Sequence, residues 1–567
     1  MRFSPVELCA SVARMTAVSS APAGAVAVDP ITVEVIGNAL ASIVEEMGET
    51  LVRAAYSTNI KERRDSSTCL FDARGRTLCQ AMHIPMHLGS LIGVIEHIVA
   101  RHPVDSLREG DVFVGNDAYT GGGTHLPDIV LAEPIFFEGR LVAWATNTAH
   151  HADFVDRRHD HIFQEGLRIP PVRLYREGRL QQDVMDLILL NMQVPRERLN
   201  DFRAQMAANR QGVLRFQSLC RRHGTDLLLA ACDALLDYTE RLARAGIATL
   251  PQGSYVFRDR FDCDELGREV EFGVRVDVRG GEIFFDFDAP PQVRAGINLV
   301  RTGLLACVYY AVKTLVGADI PANAGLYRPI HVASHPGTML ECSPPAAVDA
   351  RIQTAQRVVD MILGALSTAL PGRIAAAGNG ACTRAIFTGT DPRSGAFYVY
   401  LETLGGGFGA RATKDGLDGV HVHMSNTSNL PVESLEQEYP LVVECYELVP
   451  DSGGAGAQRG GMAIRRRLRP DGHACRTHVL GSRRQSAPWG LFGGGAGSRL
   501  DVRYDPRAEP PARGAGVLRP GEWLEVVTPG AGGYGDPARR AREAVARDLR
   551  EERISEAAAR EAYRLEG

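Results

Sequence analysis

The chain has 567 residues, 45% hydrophobic and 23% charged, ordinary globular proportions that exclude a disordered or fibrous protein. Its 63 basic and 68 acidic side chains leave a formal charge of −5 at pH 7, without the basic excess expected of a nucleic-acid-binding protein. Eleven cysteines lie scattered with no CxxC pair, which reads as reduced thiols in a cytoplasmic protein and not as a disulfide framework or zinc ribbon. No apolar run approaches the roughly 18 residues that would span a bilayer.

Residues 1–28, rich in Ala, Ser and Val, read as a disordered tail. Asp29-Pro30 then opens an amphipathic pattern through Ile31, Val33, Val35, Ile36, Leu40, Ile43, Met47 and Leu51, a long helix with Asp29 as N-cap. A strand, turn and strand follow over Cys69–Cys79, then a helix over Met86–Ala100. The apolar runs Val112–Val114, Ile129–Leu131 and Val142–Ala145, bounded by Gly, Pro and Asp, predict buried strands. Residues 183–248 are largely helical in pattern. Phe272, Val274, Val276 and Val278, then Ile283, Phe285 and Phe287, alternate with polar residues around Arg279-Gly280-Gly281, a β-hairpin signature. Further helices are predicted over Gly303–Leu315 and Thr354–Leu370, and a glycine-rich stretch of short strands over Ala376–Arg465.

These segregated blocks predict an α+β, multi-domain fold, with mixed and antiparallel sheets, flanking helices and long glycine-rich loops. The expected divisions are a metal-site α/β domain over 29–250, a β-rich domain over 251–345, a glycine-rich α+β domain over 346–537 and a surface helix over 538–567.

The chain lacks a GxxxxGK[ST] phosphate loop, HExxH and GxSxG. Gly405-Gly406-Gly407-Phe408-Gly409 lacks the spacing of a dinucleotide fingerprint and reads as a tight loop. The densest polar region runs from Asn116 to Asp153. Pro127 biases Leu126 away from helix, so His125 and Asp128 fall on a loop that can fold back on itself. A strand later come His150, His151 and Asp153. A His/Asp loop, a strand and a second histidine pair is a common way to assemble a mixed imidazole and carboxylate site for zinc, manganese or iron. Asp65, His83 and His87 are further candidate ligands. A second cluster at Asp415–Asn429 places His421 and His423 two apart, on one face if they lie on a strand, and structural hydrogen bonding is the expected role.

These residues together resemble the hydantoinase B/oxoprolinase family. The likeness runs in order through Asp29-Pro30-Ile31, Lys61–Asp65, His87–Ser90, Asn116-Asp117, Thr124–Asp128, His150-His151, Gln164–Pro171, Glu402–Gly407, Asp451–Gly461 and Gly535-Asp536-Pro537. It departs from the family pattern at Ala118, at Ala531 and over Ala152–His161, where bulky charged residues replace a glycine-rich segment. There Arg157 and Arg158 are candidate donors for a substrate carboxylate.

The resemblance implies the metal-containing B-type subunit of an ATP-dependent hydrolase. An A-type partner binds ATP and phosphorylates the carbonyl oxygen of a cyclic amide or imide of hydantoin, oxoproline or lactam type. The alternatives are a subunit of an ATP-dependent ketone carboxylase and a non-catalytic scaffold. Matched residue by residue, the metal ligands are His125, Asp128 and His150, with Asp65 as a fourth. Asp117, Asp153 or Glu165 is expected to act as general base or to orient a ligand histidine.

Overall fold

The computed structural model describes residues 28–120, 122–151, 159–509 and 515–565. The tail ahead of position 28, the acid Asp153 and the pair Arg157 and Arg158 fall outside these residues.

Asp29 caps the first helix, α1 (Pro30–Ala54), by accepting the Thr32 amide at 3.0 Å, and Pro30 takes the first turn, where no amide hydrogen is needed. The apolar stripe of α1 is buried except at Ile31 and Val35, which lie off the buried face and are exposed, and its hydrophobic surface is matched by a seven-stranded antiparallel sheet. The strands are β1 (Ser66–Asp72), β2 (Thr77–Gln80), β3 (Val112–Gly115), β4 (Asp128–Phe137), β5 (Arg140–His150), β6 (Val172–Arg176) and β7 (Arg179–Leu180). Their order is β2-β1-β5-β4-β3-β6-β7.

Helices α2 (Pro195–His223) and α3 (Thr225–Ala248) join α1 on one face, around Leu70, Ala145, Val213 and Leu235. The helix Val94–Arg101 covers the other face with Phe71, Phe113 and Trp144. With both faces covered, β1 is buried throughout, as are most of β4 and β5, which is why their apolar runs show no alternation. The helix expected over Met86–Ala100 is divided into His87–Ser90 and Val94–Arg101. Gly93 sits between them at φ 83°, a left-handed turn that a continuous helix cannot contain.

A second sheet holds β8 (Gly253–Phe261), β9 (Val270–Arg279), β10 (Glu282–Asp288) and β11 (Ile330–Ala333), ordered β11-β10-β9-β8, with β10 and β11 parallel. The expected hairpin joins β9 to β10, with Arg279 opposite Glu282. Its inward residues Phe272, Val274, Val276 and Phe285 pack with α4 (Arg301–Val316) and α5 (Ile352–Leu366).

The rest of the chain supplies β12 (Thr383–Thr390), β13 (Phe397–Leu404), β14 (Leu441–Val449), β15 (Ala463–Pro470), β16 (Cys475–Leu480), β17 (Asp501–Tyr504), β18 (Ala515–Leu518) and β19 (Leu524–Val527). They form two four-stranded sheets, β13-β12-β16-β18 and β14-β15-β19-β17. The fold is thus the α+β arrangement of antiparallel and mixed sheets with flanking helices that the sequence predicts. Residues 538–567, read as one surface helix, contain two short helices, Arg542–Arg550 and Glu556–Glu561, with a left-handed Glu552 between them. They are tied inward: Arg540 pairs with Asp415 at 2.7 Å and with Asp548 at 2.6 Å. Cysteines among the described residues are free thiols, and no helix among these residues is long and apolar enough to cross a membrane.

One buried acid on β4 gives the fold a pH signature. Glu133 is 3% exposed, its Oε2 has no hydrogen-bond partner, and Arg210 approaches only to 3.8 Å. Burial pushes its carboxyl up to about 7. A carboxyl whose folded pKa lies above its unfolded value stabilises fully below the unfolded value and loses that contribution as pH rises through the folded one. Ionising Glu133 in place should therefore cost roughly 3 kcal/mol between about pH 4.5 and 8. Glu133→Gln should match the wild type in urea midpoint at pH 5 and exceed it at pH 8; parallel midpoints at both pH values would contradict this.

Candidate functional site

The loop ahead of β4 is held by Asn116. Its Nδ2 donates to the carbonyls of Leu126 at 2.8 Å and Leu167 at 3.0 Å, and its Oδ1 accepts the Ile169 amide at 2.6 Å. Gly123 turns the loop at φ 85°, where a Cβ would come within 2.7 Å of the Asp128 Cβ. The loop therefore folds back tightly and delivers His125 beside Asp128, the first residue of β4. Asp128 is the register partner of His150, the last residue of β5, so strand pairing brings the two together.

The three side chains converge. His125, Asp128 and His150 are buried, and each offers one ligand atom, all within 4.8 Å of one another. His125 Nδ1 lies 2.9 Å from the Asp349 carbonyl and His150 Nδ1 lies 3.1 Å from the His151 carbonyl. A carbonyl only accepts, so both rings carry their proton on Nδ1 and present an Nε2 lone pair. Burial holds both imidazoles below their ordinary range, and therefore neutral. His125 Nε2 stands 3.3 Å from Asp128 Oδ1, and neither atom has a hydrogen-bond partner. Asp128 Oδ2 is occupied by Arg351 Nη2 at 2.9 Å and by the Thr124 hydroxyl at 3.4 Å, so Oδ1 is the free lobe. Burial opposes the Asp128 charge, but the Arg351 guanidinium at Oδ2 favours it, and the carboxyl stays well below the usual range. Two neutral imidazoles and one carboxylate oxygen, all buried, with His125 Nε2 and Asp128 Oδ1 unsatisfied, are a donor set that a divalent transition ion would complete.

The other expected residues are placed differently. Asp65 lines the same pocket, and its backbone carbonyl accepts the His150 amide at 2.9 Å, but its carboxyl is not one of the three clustered groups. Burial pushes that carboxyl up to about 7. His87 also lines the pocket, with Nε2 3.8 Å from Asp128 Oδ1, and burial lowers it to about 4. His83 stands 3.8 Å from Glu45 instead.

Asp117 is committed to Arg168, which donates from Nε at 3.1 Å and Nη2 at 2.8 Å, and it does not line the pocket. Glu165 sits one layer behind: its Oε1 accepts the amides of Val348 and Asp349, fixing the loop whose carbonyl orients His125. Burial and Asp349 push the Glu165 carboxyl up to about 8. His421 and His423 lie on no strand, because His423 turns left-handed at φ 45°. His423 Nε2 stands 2.8 Å from Asp360 and His421 contacts Ser425 and Thr427, the structural bonding expected of them.

A buried amide network from α2 supports β4 and β5. Gln205 Nε2 donates to the Ile129 carbonyl and to Asn147 Oδ1, both at 2.8 Å, and its Oε1 accepts His151 Nε2 at 3.0 Å. Asn147 Nδ2 donates back to the Gln205 carbonyl and to Asn209 Oδ1. Gln205 thereby clamps both strands and the ring of His151, whose carbonyl orients His150. Gln205→Leu strands several buried polar atoms and should cost roughly 3 kcal/mol of stability. By loosening the support of a ligand histidine it should also weaken metal affinity about tenfold or more. Urea unfolding with metal titration checks both, and unchanged affinity would remove Gln205 from the site's support.

Asp349, Arg351 and Arg384 were not singled out in the sequence. They lie more than 200 positions from His125 and carry no local motif; the segment ahead of α5 meets the His125 loop and the start of β4 through Asp349 and Arg351, and Arg384 joins it through Asp349.

Comparison with known proteins bears on this geometry. Residues 29–537 match the family model described as hydantoinase B/oxoprolinase. Caprolactamase subunit beta from Pseudomonas jessenii is 32% identical over 565 residues, covering 94% of this chain and 96% of that one. The crystal structure of ATP-dependent caprolactamase from the same organism superposes with a TM-score of 0.85 at 30% identity, covering 95% of this chain and 96% of that chain. 5-Oxoprolinase 1 from Arabidopsis thaliana is 30% identical over 543 residues, which cover 89% of this chain and 42% of that longer protein. A nucleotide-free acetone carboxylase structure reaches a TM-score of 0.85 at 18% identity over 94% of this chain and 79% of that one, a likeness of fold alone.

Proposed function

The chain belongs to the hydantoinase B/oxoprolinase family, and from that premise we propose that it is the metal-carrying subunit of an ATP-dependent enzyme that opens a cyclic amide. The observation that carries the reading is the buried set of His125 Nε2, His150 Nε2 and Asp128 Oδ1, unsatisfied at His125 and Asp128 and preset by the carbonyls behind both rings. These residues would hold a divalent zinc, manganese or iron ion, which supplies Lewis acidity and lowers the pKa of a nearby water.

An unstrained amide resists hydrolysis because resonance stabilises its ground state and the amine leaves poorly. Phosphorylation of the carbonyl oxygen by an ATP-binding A-type partner removes that resistance, leaving this chain to bind the activated ring and complete C–N cleavage. Arg351 and Thr124 restrain Asp128 through Oδ2, while the Asp349 carbonyl fixes the tautomer of His125. Asp65 lines the pocket beside this cluster, which supports its carboxylate as the acceptor of the proton that an attacking water must lose. Apolar Ile84, Met86, Ile352 and Met424 line the remaining wall, which favours exclusion of bulk water.

The test is reconstitution. The chain is mixed with an A-type subunit and supplied with ATP and a panel of 5-oxoproline, hydantoins and caprolactam. Ring opening is expected only with both chains and ATP present. ATP turnover by this chain alone, or ring opening without ATP, would overturn the division of labour.

A further inference from the structure

The metal candidates line one part of the pocket, and a different set of groups lines the part beside them. Helix α5 begins there: Arg351 and Ile352 line the pocket, no side chain caps the helix, and its first turn contains no acid. The positive end of a four-turn helix therefore lies at the pocket, beside the carboxylates of Asp128 and Asp349. Arg384, from β12, lines the same space and is 7% exposed. Its Nη2 reaches Asp349 Oδ2 at 2.7 Å, and its Nε has no acceptor. Arg351 spends Nε on Thr124 at 2.8 Å and Nη2 on Asp128 at 2.9 Å, which leaves Nη1 uncommitted among the described residues.

Charge points the same way. Arg63, Arg351 and Arg384 face Asp65, Asp128 and Asp349, so the charges are at most balanced, with all three acids ionised, before any ion is counted. A divalent ion at the histidines would leave at least two positive charges over among buried side chains, where an uncompensated charge is costly. A dianion cancels that excess, whereas a carboxylate cancels half of it. Guanidinium donors at a helix N-terminus are also suited to an oxyanion with several acceptor oxygens.

We infer that the N-terminus of α5, Arg351 and Arg384 form an oxyanion subsite that takes a phosphoryl group carried by the substrate. This rests on the reading above that the substrate reaches this chain already phosphorylated. It adds that this chain holds the phosphoryl group through its own arginines, and that Arg384 is a binding residue for it.

The experiment is calorimetric titration of the full-length chain with inorganic phosphate at fixed ionic strength, in Mn²⁺-loaded and metal-free protein, with acetate as the second ligand. Arg384→Met should weaken phosphate binding about tenfold or more, and Arg384→Lys, which keeps the charge but loses the fork, should weaken it less. Metal content and circular dichroism, read on the same samples, should stay at wild-type values. Acetate should bind the wild type at least about tenfold more weakly than phosphate. Wild-type phosphate affinity in Arg384→Lys and Arg384→Met would overturn the subsite. Acetate binding as tightly as phosphate would assign it to a carboxylate and overturn the phosphoryl inference. A chain that takes up no metal but still loses phosphate affinity on substitution of Arg384 would refute the metal reading while supporting the subsite. If Arg384→Met does not fold, Arg384→Lys against wild type carries the comparison.

Discussion

Replacing His125 with alanine is expected to reduce bound transition metal from close to one equivalent to about a tenth or less, and to abolish ring opening in the reconstituted enzyme. The loss is large because the site has few donors. His125 and His150 supply neutral nitrogens, Asp128 supplies one free oxygen, and the second Asp128 oxygen is already held by Arg351. Folding should survive, at a cost of about 1–3 kcal/mol for the Asp349 carbonyl left without its donor. The wild type should also keep its metal into mildly acidic solution. Because burial holds both imidazoles below their ordinary range, protons compete with the ion only at pH values below about 6.5, where an exposed histidine pair would begin to charge. Elemental analysis across pH 5–8, on wild type and variant, checks both statements. Full occupancy in the variant, or full activity in metal-free wild type, would remove the metal from the reaction.

What made this site legible was local. His125 and Asp128 are three positions apart, and Pro127 between them rules out helix, so a fold-back loop follows from covalent restriction alone. The strands themselves were legible as the apolar runs Ile129–Leu131 and Val142–Ala145, whereas their antiparallel pairing, which sets Asp128 opposite His150, is supplied by the structure. Helix α1 was readable from Asp29-Pro30 and its periodicity for the same reason.

Features that depend on distant packing were not legible. Nothing near Asp349 or Arg384 in the sequence marks them, since their role comes from the segment ahead of α5 meeting the His125 loop and from Arg384 pairing with Asp349. The acids show the same limit. Asp117 has the composition of a catalytic residue, yet Arg168, fifty-one positions away, neutralises it. Glu165 acts on the loop behind His125 and not on the pocket. Gly93 and His423 show it for the backbone: a left-handed residue breaks a helix or prevents a strand where side-chain periodicity alone allows one.

The glycine-rich segments carry the second large effect, and they show what the Gly405–Gly409 run is for. In that region backbones from four loops lie against one another with no side chains between them. Gly461 donates to the Phe408 carbonyl at 3.0 Å, Ala531 to Gly461 at 3.0 Å, Gly454 to Ala531 at 2.8 Å, and Gly533 to Gly495 at 2.9 Å. A Cβ on Gly409 would fall 1.7 Å from the Ala376 carbonyl oxygen, and one on Gly407 would fall 2.1 Å from that of Gly461. These contacts are with backbone, which cannot swing aside as a flexible side chain would. Gly409→Ala must therefore separate two segments and break the neighbouring bonds from Ala376 to Ala410 and from Ala410 to Gly532. The expected cost is about 3 kcal/mol or more, at the upper end for overpacking, with loss of soluble protein as the extreme outcome. Gly395→Ala is the control. It lies in an open turn with nothing within 4 Å of the added methyl, though at φ 72°, so it should cost only about 1 kcal/mol of backbone strain. Urea unfolding of the two variants separates the readings. A tight backbone hub predicts a much larger loss at Gly409, whereas a loop shaped mainly to admit a ligand would tolerate the methyl there with a small change in stability.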